Sequence, residues 1–345
     1  MHLSFYKIGL PDFLTIGVTD HTDSDLRDFR GYAVRSFKLA TEMINTVEAL
    51  SNLLQGSFLE RHAIRQFAID ESDEFAFAIE VPRSHGLDAW HLMRSYLKDT
   101  QRYPLLVEGW GADDYFARFY YEEEVNDGKL QGISPKEILA TASTADLEAF
   151  LETKKDARKE YLEDSIEGSL ARTRERFGAS PDNFQIKALI DQQMIRSTVE
   201  LEKWLFNWEL QNFSHVNAAT ALYTSYLDWF EPDSRTATLL LLPVENGWDS
   251  LAYIHWFGAC SAGTPVAIGF LKQWHQHYDA ELVCHYGTML QLNVGRLPET
   301  PEEAFELAWQ QEALAECTTM LPGITLRDHA RSLLMMKRWF LHERP

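Results

Sequence analysis

Residues Leu239–Leu314 read LLLLPVENGWDSLAYIHWFGACSAGTPVAIGFLKQWHQHYDAELVCHYGTMLQLNVGRLPETPEEAFELAWQQEAL, the most densely patterned part of the chain. Leu239–Val244 and Leu251–Phe257 are short apolar runs of strand length and composition. A loop of small residues, Gly258 to Gly263, leads to Thr264-Pro265, a cap residue followed by proline at the first helical position. Ala267, Phe270, Leu271, Trp274 and Tyr278 then recur at helical spacing and form one apolar stripe. Ala280, Leu282, Cys284 and Tyr286 alternate with Glu281, Val283 and His285. Gly287-Thr288 suits a two-residue hairpin turn, and Leu290, Leu292 and Val294 alternate out of it. Thr300-Pro301-Glu302-Glu303 is a capping box that opens a helix burying Ala304, Leu307 and Ala308. The order predicted is strand, strand, helix, strand, strand, helix.

Upstream, residues 135–177 are helical in pattern but heavily charged. Between Asp146 and Arg176, 16 of 31 residues are charged, which predicts a mostly solvated surface with a thin stripe of Leu147, Leu151, Leu162, Ile166 and Leu170. A second helix starts at Ser180-Pro181 and runs through Ile186, Ile190, Met194, Leu201, Leu205 and Trp208. A third follows Ser214, with Val216, Ala219, Tyr223, Leu227 and Phe230 on its apolar face. Earlier still, Phe75–Val81, Leu87–Leu97 and Tyr103–Val107 form a strand–helix–strand unit. Asp113 to Asp127 is an acidic, tyrosine-rich connector.

At the N-terminal end, Phe13–Val18 has the length of a short strand, and apolar residues from about Thr22 to Gln55 alternate three and four apart. That spacing predicts a long amphipathic helix, whose stripe is covered by the rest of the chain or by a second copy in a homodimer. At the other end Leu326, Ala330, Leu333, Leu334, Lys337 and Phe340 predict a last helix, with Lys337-Arg338 in its final turn.

The fold class expected is α/β (α+β), a mixed sheet with flanking helices plus a helical insertion and a long N-terminal helix. Four regions follow: residues 1–60 with the N-terminal strand and helix, 61–134 the first α/β unit, 135–232 the helical insertion, and 233–345 the C-terminal α/β module. The two α/β pieces share one sheet or pack as neighbours.

Composition narrows the function. Hydrophobic residues are 45% and charged residues 24% of the 345, so the chain is globular rather than disordered. The 52 acidic against 32 basic residues leave a net charge of −20. That disfavours binding to nucleic-acid phosphates and to anionic lipid, and it permits a basic protein partner, solubility through self-repulsion or mimicry of a polyanion. Cys260, Cys284 and Cys317 are odd in number and lack CxxC spacing, which fits free thiols and the cytoplasm. Lys7, Pro11 and Asp12 break any signal-peptide pattern, and no apolar run approaches membrane-spanning length.

The segment 239–317 resembles the bacterial family known as domain of unknown function 4253. The resemblance rests on the apolar strand ending at Pro243, Ala252-Tyr253 leading to Gly258, and Pro265 before a helix ending Trp274-His275. It continues through Tyr278, Ala280-Glu281, the hairpin to Val294, Pro298, and Glu302-Glu303-Ala304 with Leu307-Ala308 before Cys317. Weaker likeness covers 75–112 and 318–342, where a helix ending Trp339-Phe340 fits the family's aromatic end. The chain departs from the family in the loop Cys260-Ser261-Ala262, which lacks the asparagine and the tryptophan found there in relatives. The resemblance implies a fold and a bacterial setting but no reaction.

Several residues of this block have chemistry to offer. Cys260 stands between a strand and a helix, where a helix dipole can hold a thiolate, although the spacing is not that of a nucleophile elbow. His255, His275 and Glu281 complete the weak catalytic candidates. His275 and His277 lie two apart on one helix and so cannot share an ion; no metal site and no cofactor is expected. Trp248, Trp256, Ser261, Trp274 and Tyr278 surround the loop and are the candidate binding residues. The expectation is a non-enzymatic cytoplasmic binding protein, its acidic surface recognising another, basic protein as an immunity-type protein does a toxin or nuclease. The alternative is a hydrolase or transferase-type enzyme using the loop around Cys260 with His255 or His275.

Overall fold

Seven strands hydrogen-bond into one sheet in the computed structural model, which describes residues 43–69, 71–108, 134–213, 235–260 and 262–344. They are β1 (Ile64–Ala68), β2 (Phe75–Pro82), β3 (Tyr103–Glu108), β4 (Thr236–Leu242), β5 (Ala280–His285), β6 (Met289–Val294) and β7 (Arg338–His342). Their order is β1-β2-β4-β3-β5-β6-β7, with β3 and β5 parallel and every other pair antiparallel. β4 enters between β2 and β3, so the two α/β pieces share one sheet and the helical insertion loops out between adjacent strands. The sequence TATLLLL of β4 shows no alternation because its last six residues are all buried, as a strand covered on both faces requires.

The helices are α1 (Val47–Leu53), α2 (Gly86–Ser95), α3 (Pro135–Ala142), α4 (Leu147–Ala157), α5 (Leu162–Phe177), α6 (Asn183–Asp191), α7 (Thr198–Asn212), α8 (Thr264–Tyr278), α9 (Pro301–Leu314) and α10 (Leu326–Leu333). Single helical turns form at Leu97–Thr100 and Cys317–Met320. α2 crosses from β2 to β3 and anchors there through Trp90 Nε1, which donates to Pro104 O at 3.0 Å. α8 packs against β5, and its Trp274 and Tyr278 meet Trp339 of β7 edge-on at 6.1 and 5.5 Å. α3 and α4 pack on the outer side of α8. There Gly269 allows the close approach, since a Cβ at that position would lie 2.9 Å from Leu147. The end of the insertion has its own small core of Leu162, Ile166, Leu170, Ile186, Ile195, Leu201 and Leu205.

The structure corrects five sequence expectations. Leu251–Phe257 is not a strand: Gly247–Ala252 and Phe257–Cys260 are 3-10 turns. β4 and β5 have both edges taken, so the apolar run is buried by packing against α8 and over β5 and β3 instead of pairing. Gly247 comes so near Tyr103 that a Cβ there would be 2.5 Å from its ring. The last helix stops at Leu333, and Arg338–His342 is the edge strand β7, where Trp339 pairs with Leu292. The helix expected over residues 181–208 is two, α6 and α7, broken where Gln193 takes a left-handed φ of 59°. Asp182, not Ser180, caps α6. For α8 the cap is Gly263, and Thr264 is already helical.

Of the expected 22–55 helix, residues 43–46 are not helical, and Thr46 caps α1 by accepting from Ala49 N at 3.1 Å. Leu50 and Leu54 of this region are buried in the main core. Residues 22–42 lie outside the described residues, as do the 13–18 strand, the 113–127 connector and the 216–230 helix. The mostly solvated helix α5 buries the expected stripe of Leu162, Ile166 and Leu170, together with Thr173. Among the described residues no helix is long and apolar enough to cross a membrane.

Candidate functional site

The insertion and the C-terminal helices meet along a seam held by buried charge. α10 reads LRDHARSL, and every one of its residues is buried. Arg327 and Arg331 are each 2% exposed, and ions so placed persist only when paired. Arg327 Nη1 lies 2.7 Å from Glu202 Oε1 and Arg327 Nε 3.0 Å from Glu209 Oε1, both on α7. Arg331 pairs with Glu209 and, at 2.9 Å, with Asp328, which Arg176 of α5 also engages. Thr173 donates to Glu209 at 2.8 Å, and Arg327 Nη2 to Ser169 O at 3.0 Å. Burial pulls the Arg331 pKa down, and the Glu209 carboxylate opposes that pull. Next to this set His329 Nε2 lies 2.9 Å from Gln311 Oε1 of α9. Burial takes the His329 pKa down to about 3, so the ring is neutral.

Where the seam opens it leaves a cleft of about 650 Å³ between α4, α5 and the start of α7 on one side and α9 with the Cys317–Met320 turn on the other. The innermost carboxyl is Glu312, on α9 and 8% exposed. Its Oε2 accepts from the Thr319 hydroxyl at 2.8 Å, while Oε1 is 3.5 Å from Arg158 Nη2. The same Arg158 nitrogen donates to Glu316 at 2.8 Å, so one guanidinium is shared unequally between two carboxylates. Burial raises the Glu312 pKa to about 7, against the pull of Arg158 and of the Thr319 hydrogen bond. A carboxyl that changes charge near neutrality inside a cleft marks a candidate functional site.

Local sequence puts these groups in place. Asp146 caps α4 by accepting from Ala149 N at 2.9 Å, and α4 ends at Arg158, whose side chain then spans to α9. Thr300 caps α9 through Glu303 N at 3.1 Å; the Glu303 carboxylate reaches back to Glu299 N, one residue short of a reciprocal capping box. Ser197 caps α7 and brings Thr198, Val199 and Glu202 to the cleft wall. At the mouth the Tyr161 ring is 56% exposed, and Glu160 holds the Tyr161 hydroxyl pKa up by hydrogen bonding. Opposite stands Met320, 59% exposed, followed by Leu321, 50% exposed. Lys154 and Arg172 also line the space, and Arg172 donates to Gly323 O at 2.8 Å.

None of the catalytic or binding candidates read from the sequence lines this cleft. His275 Nδ1 is 3.1 Å from Ala280 O, and its ring lies against Trp248, centroids 4.6 Å apart. Glu281 accepts from Arg94 Nε at 3.0 Å. His255 is buried beside His285, whose pKa falls to about 3, mainly through burial and then through the charge of His255. Trp256 and Trp274 are fully buried, donating to Thr288 O at 3.1 Å and to Gln310 at 2.8 Å. Tyr278 is nearly buried, and Trp248 is half-buried. The Cys260 side chain and Ser261 lie outside the described residues. Cys284 is a buried free thiol whose pKa burial pushes up to about 12; Cys317 is also free. No group of three or more His, Cys, Asp or Glu suited to a metal occurs among the described residues.

Sequence does not single out the cleft residues because they come from separated segments whose charges read as solvated faces. The available signal was the run LRDHARSL, where arginines fall on the same helix as Leu326, Ala330 and Leu333 with no polar face left to solvent.

Comparison with known proteins places the C-terminal third. Residues 238–342 match the family described as Domain of unknown function (DUF4253). The match takes in β4 to β7 with α8, α9 and α10, so one wall of the cleft comes from the matched region and the other from the insertion. No curated protein and no solved structure matches the chain.

Proposed function

We propose that this is a non-enzymatic cytoplasmic binding protein whose cleft takes a segment of a basic partner protein. The observation that carries the reading is the cleft itself, open between two helical walls, with exposed Tyr161 and Met320 at its mouth. Aromatic and methionine side chains left in water beside a concave surface are the usual anchors of a protein interface. Glu160, Glu202, Glu312 and Glu316 line the same space. Lys154, Arg158 and Arg172 line it as well, and the overall charge of −20 supports encounter with a cationic partner. An immunity-type protein neutralising a basic toxin or nuclease has this combination of properties.

The test is affinity capture from the organism that makes the protein, comparing the natural chain with a Tyr161→Ser, Met320→Ser, Glu316→Lys variant. The natural chain is expected to enrich a basic protein, with binding that weakens as salt rises. The triple variant is expected to lower affinity by about tenfold or more. Equal enrichment by both chains would move the binding site elsewhere, and no enrichment at low or moderate salt would sink the reading.

A further inference from the structure

Glu312 occupies an unusual position for a group buried at a seam. Its firm partner is a neutral hydroxyl, that of Thr319 at 2.8 Å. The nearest paired cation among the described residues, Arg158 at the α4–α5 junction, is 3.5 Å away and closer to Glu316, just before the Cys317–Met320 turn, while Lys154 and Arg172 line the same cleft. From α7, Glu202 adds a second negative charge and is itself committed to Arg327 of α10. Two carboxylates and one shared guanidinium thus surround a third carboxyl that borders the open cleft. The surroundings suit the protonated form, whereas water entering the cleft suits the ionised one.

We propose that the cleft is proton-gated at Glu312: with its proton on, the α9–Thr319 corner stays shut, and loss of the proton hydrates the corner and widens the cleft. The direction follows from linkage. Closed, Glu312 keeps its proton up to about pH 7; hydrated, it returns to the ordinary value of 4.5. Between those two values the open-to-closed ratio rises by about tenfold per pH unit, and above the upper one it levels off. Widening also unmasks one more carboxylate for a cationic partner, so partner affinity rises over the same interval. That last consequence rests on the function proposed above; the gating does not.

Hydrogen–deuterium exchange of the full chain without any partner tests the gate, followed from about pH 5 to about pH 8 and corrected for intrinsic exchange. Protection of peptides spanning 309–320 is expected to fall by up to about tenfold per unit as pH rises to 7, then to stay constant. Glu312→Gln should show no such fall. Arg158→Gln, which leaves Glu312 in place and serves if the first variant does not fold, should move the levelling-off to higher pH. A flat natural chain, a slope that survives Glu312→Gln, or an unmoved plateau in Arg158→Gln each overturns the gate. Because no partner is present, these outcomes are separate from failure of the capture experiment.

Discussion

Glu209 shows what a single residue does at the seam. It is 1% exposed and accepts from Thr173 while pairing with both Arg327 and Arg331. Removing its charge leaves two arginines buried without their shared counter-ion, which is far costlier than the pair itself is favourable. Glu209→Gln is expected to lower unfolding stability by about 3 kcal/mol, read as a shift of the urea midpoint at unchanged slope. An exposed pair gives the contrast: Arg296–Asp279, each side chain 56% exposed, should cost less than about 1 kcal/mol when Arg296 is replaced by Ala.

At the scale of elements, α8 is the beam between the sheet and the insertion. Its inner side carries Trp274 and Tyr278 onto Trp339, and its outer side meets α4 at Gly269. Gly269→Val forces Leu147 away and is expected to cost about 1–3 kcal/mol by overpacking, measurable as a lower Tm. Trp339→Ala removes a fully buried ring from an edge strand and is expected to cost about 3–5 kcal/mol. If β7 were the last turn of a helix, the loss of Trp339 would leave the amides of β6 as protected as before. Hydrogen exchange over residues 289–294 should instead speed up together with that of 338–342.

The whole molecule integrates these groups into a pH profile. His285 and His329 each fall from 6.5 to about 3 on folding, so the unfolded chain takes up protons there first. Their contribution is complete above pH 6.5 and is lost as pH falls toward 3. Glu312 runs the other way: its pKa rises from 4.5 to about 7, so its contribution is complete below 4.5 and is lost as pH rises to 7. Two histidines outweigh one carboxyl between 4.5 and 6.5, so these three groups together favour a maximum at about pH 6.5. Urea unfolding across this range should show that maximum, and Glu312→Gln should flatten its neutral side, where the fall between pH 6.5 and 7 is under about 1 kcal/mol. A natural chain equally stable at pH 4.5 and 6.5 would contradict the buried, neutral state of the two histidines.

Much of the fold could be read from local pattern. Helix α8, the β5–β6 hairpin, α9 with its Thr300 cap and the β2–α2–β3 unit are visible because their stripes, caps and turns are short-range signals. Leu251–Phe257 and Lys337–Phe340 could not be read this way. An apolar run without a clear period takes the shape that the neighbouring space allows, and that space is bounded by distant strands. The candidate site was illegible for the same reason. Arg158, Glu202, Glu312 and Thr319 are ordinary surface types in one dimension, and their burial, pairing and shifted proton affinity exist only once the insertion folds back on α9 and α10. Sequence by itself therefore determined the periodic elements, their α/β class and the acidic balance, because propensity, periodicity and charge are properties of the chain. Only tertiary structure decided strand order, the fate of aperiodic apolar segments and the place of the cleft, because those depend on which surfaces meet.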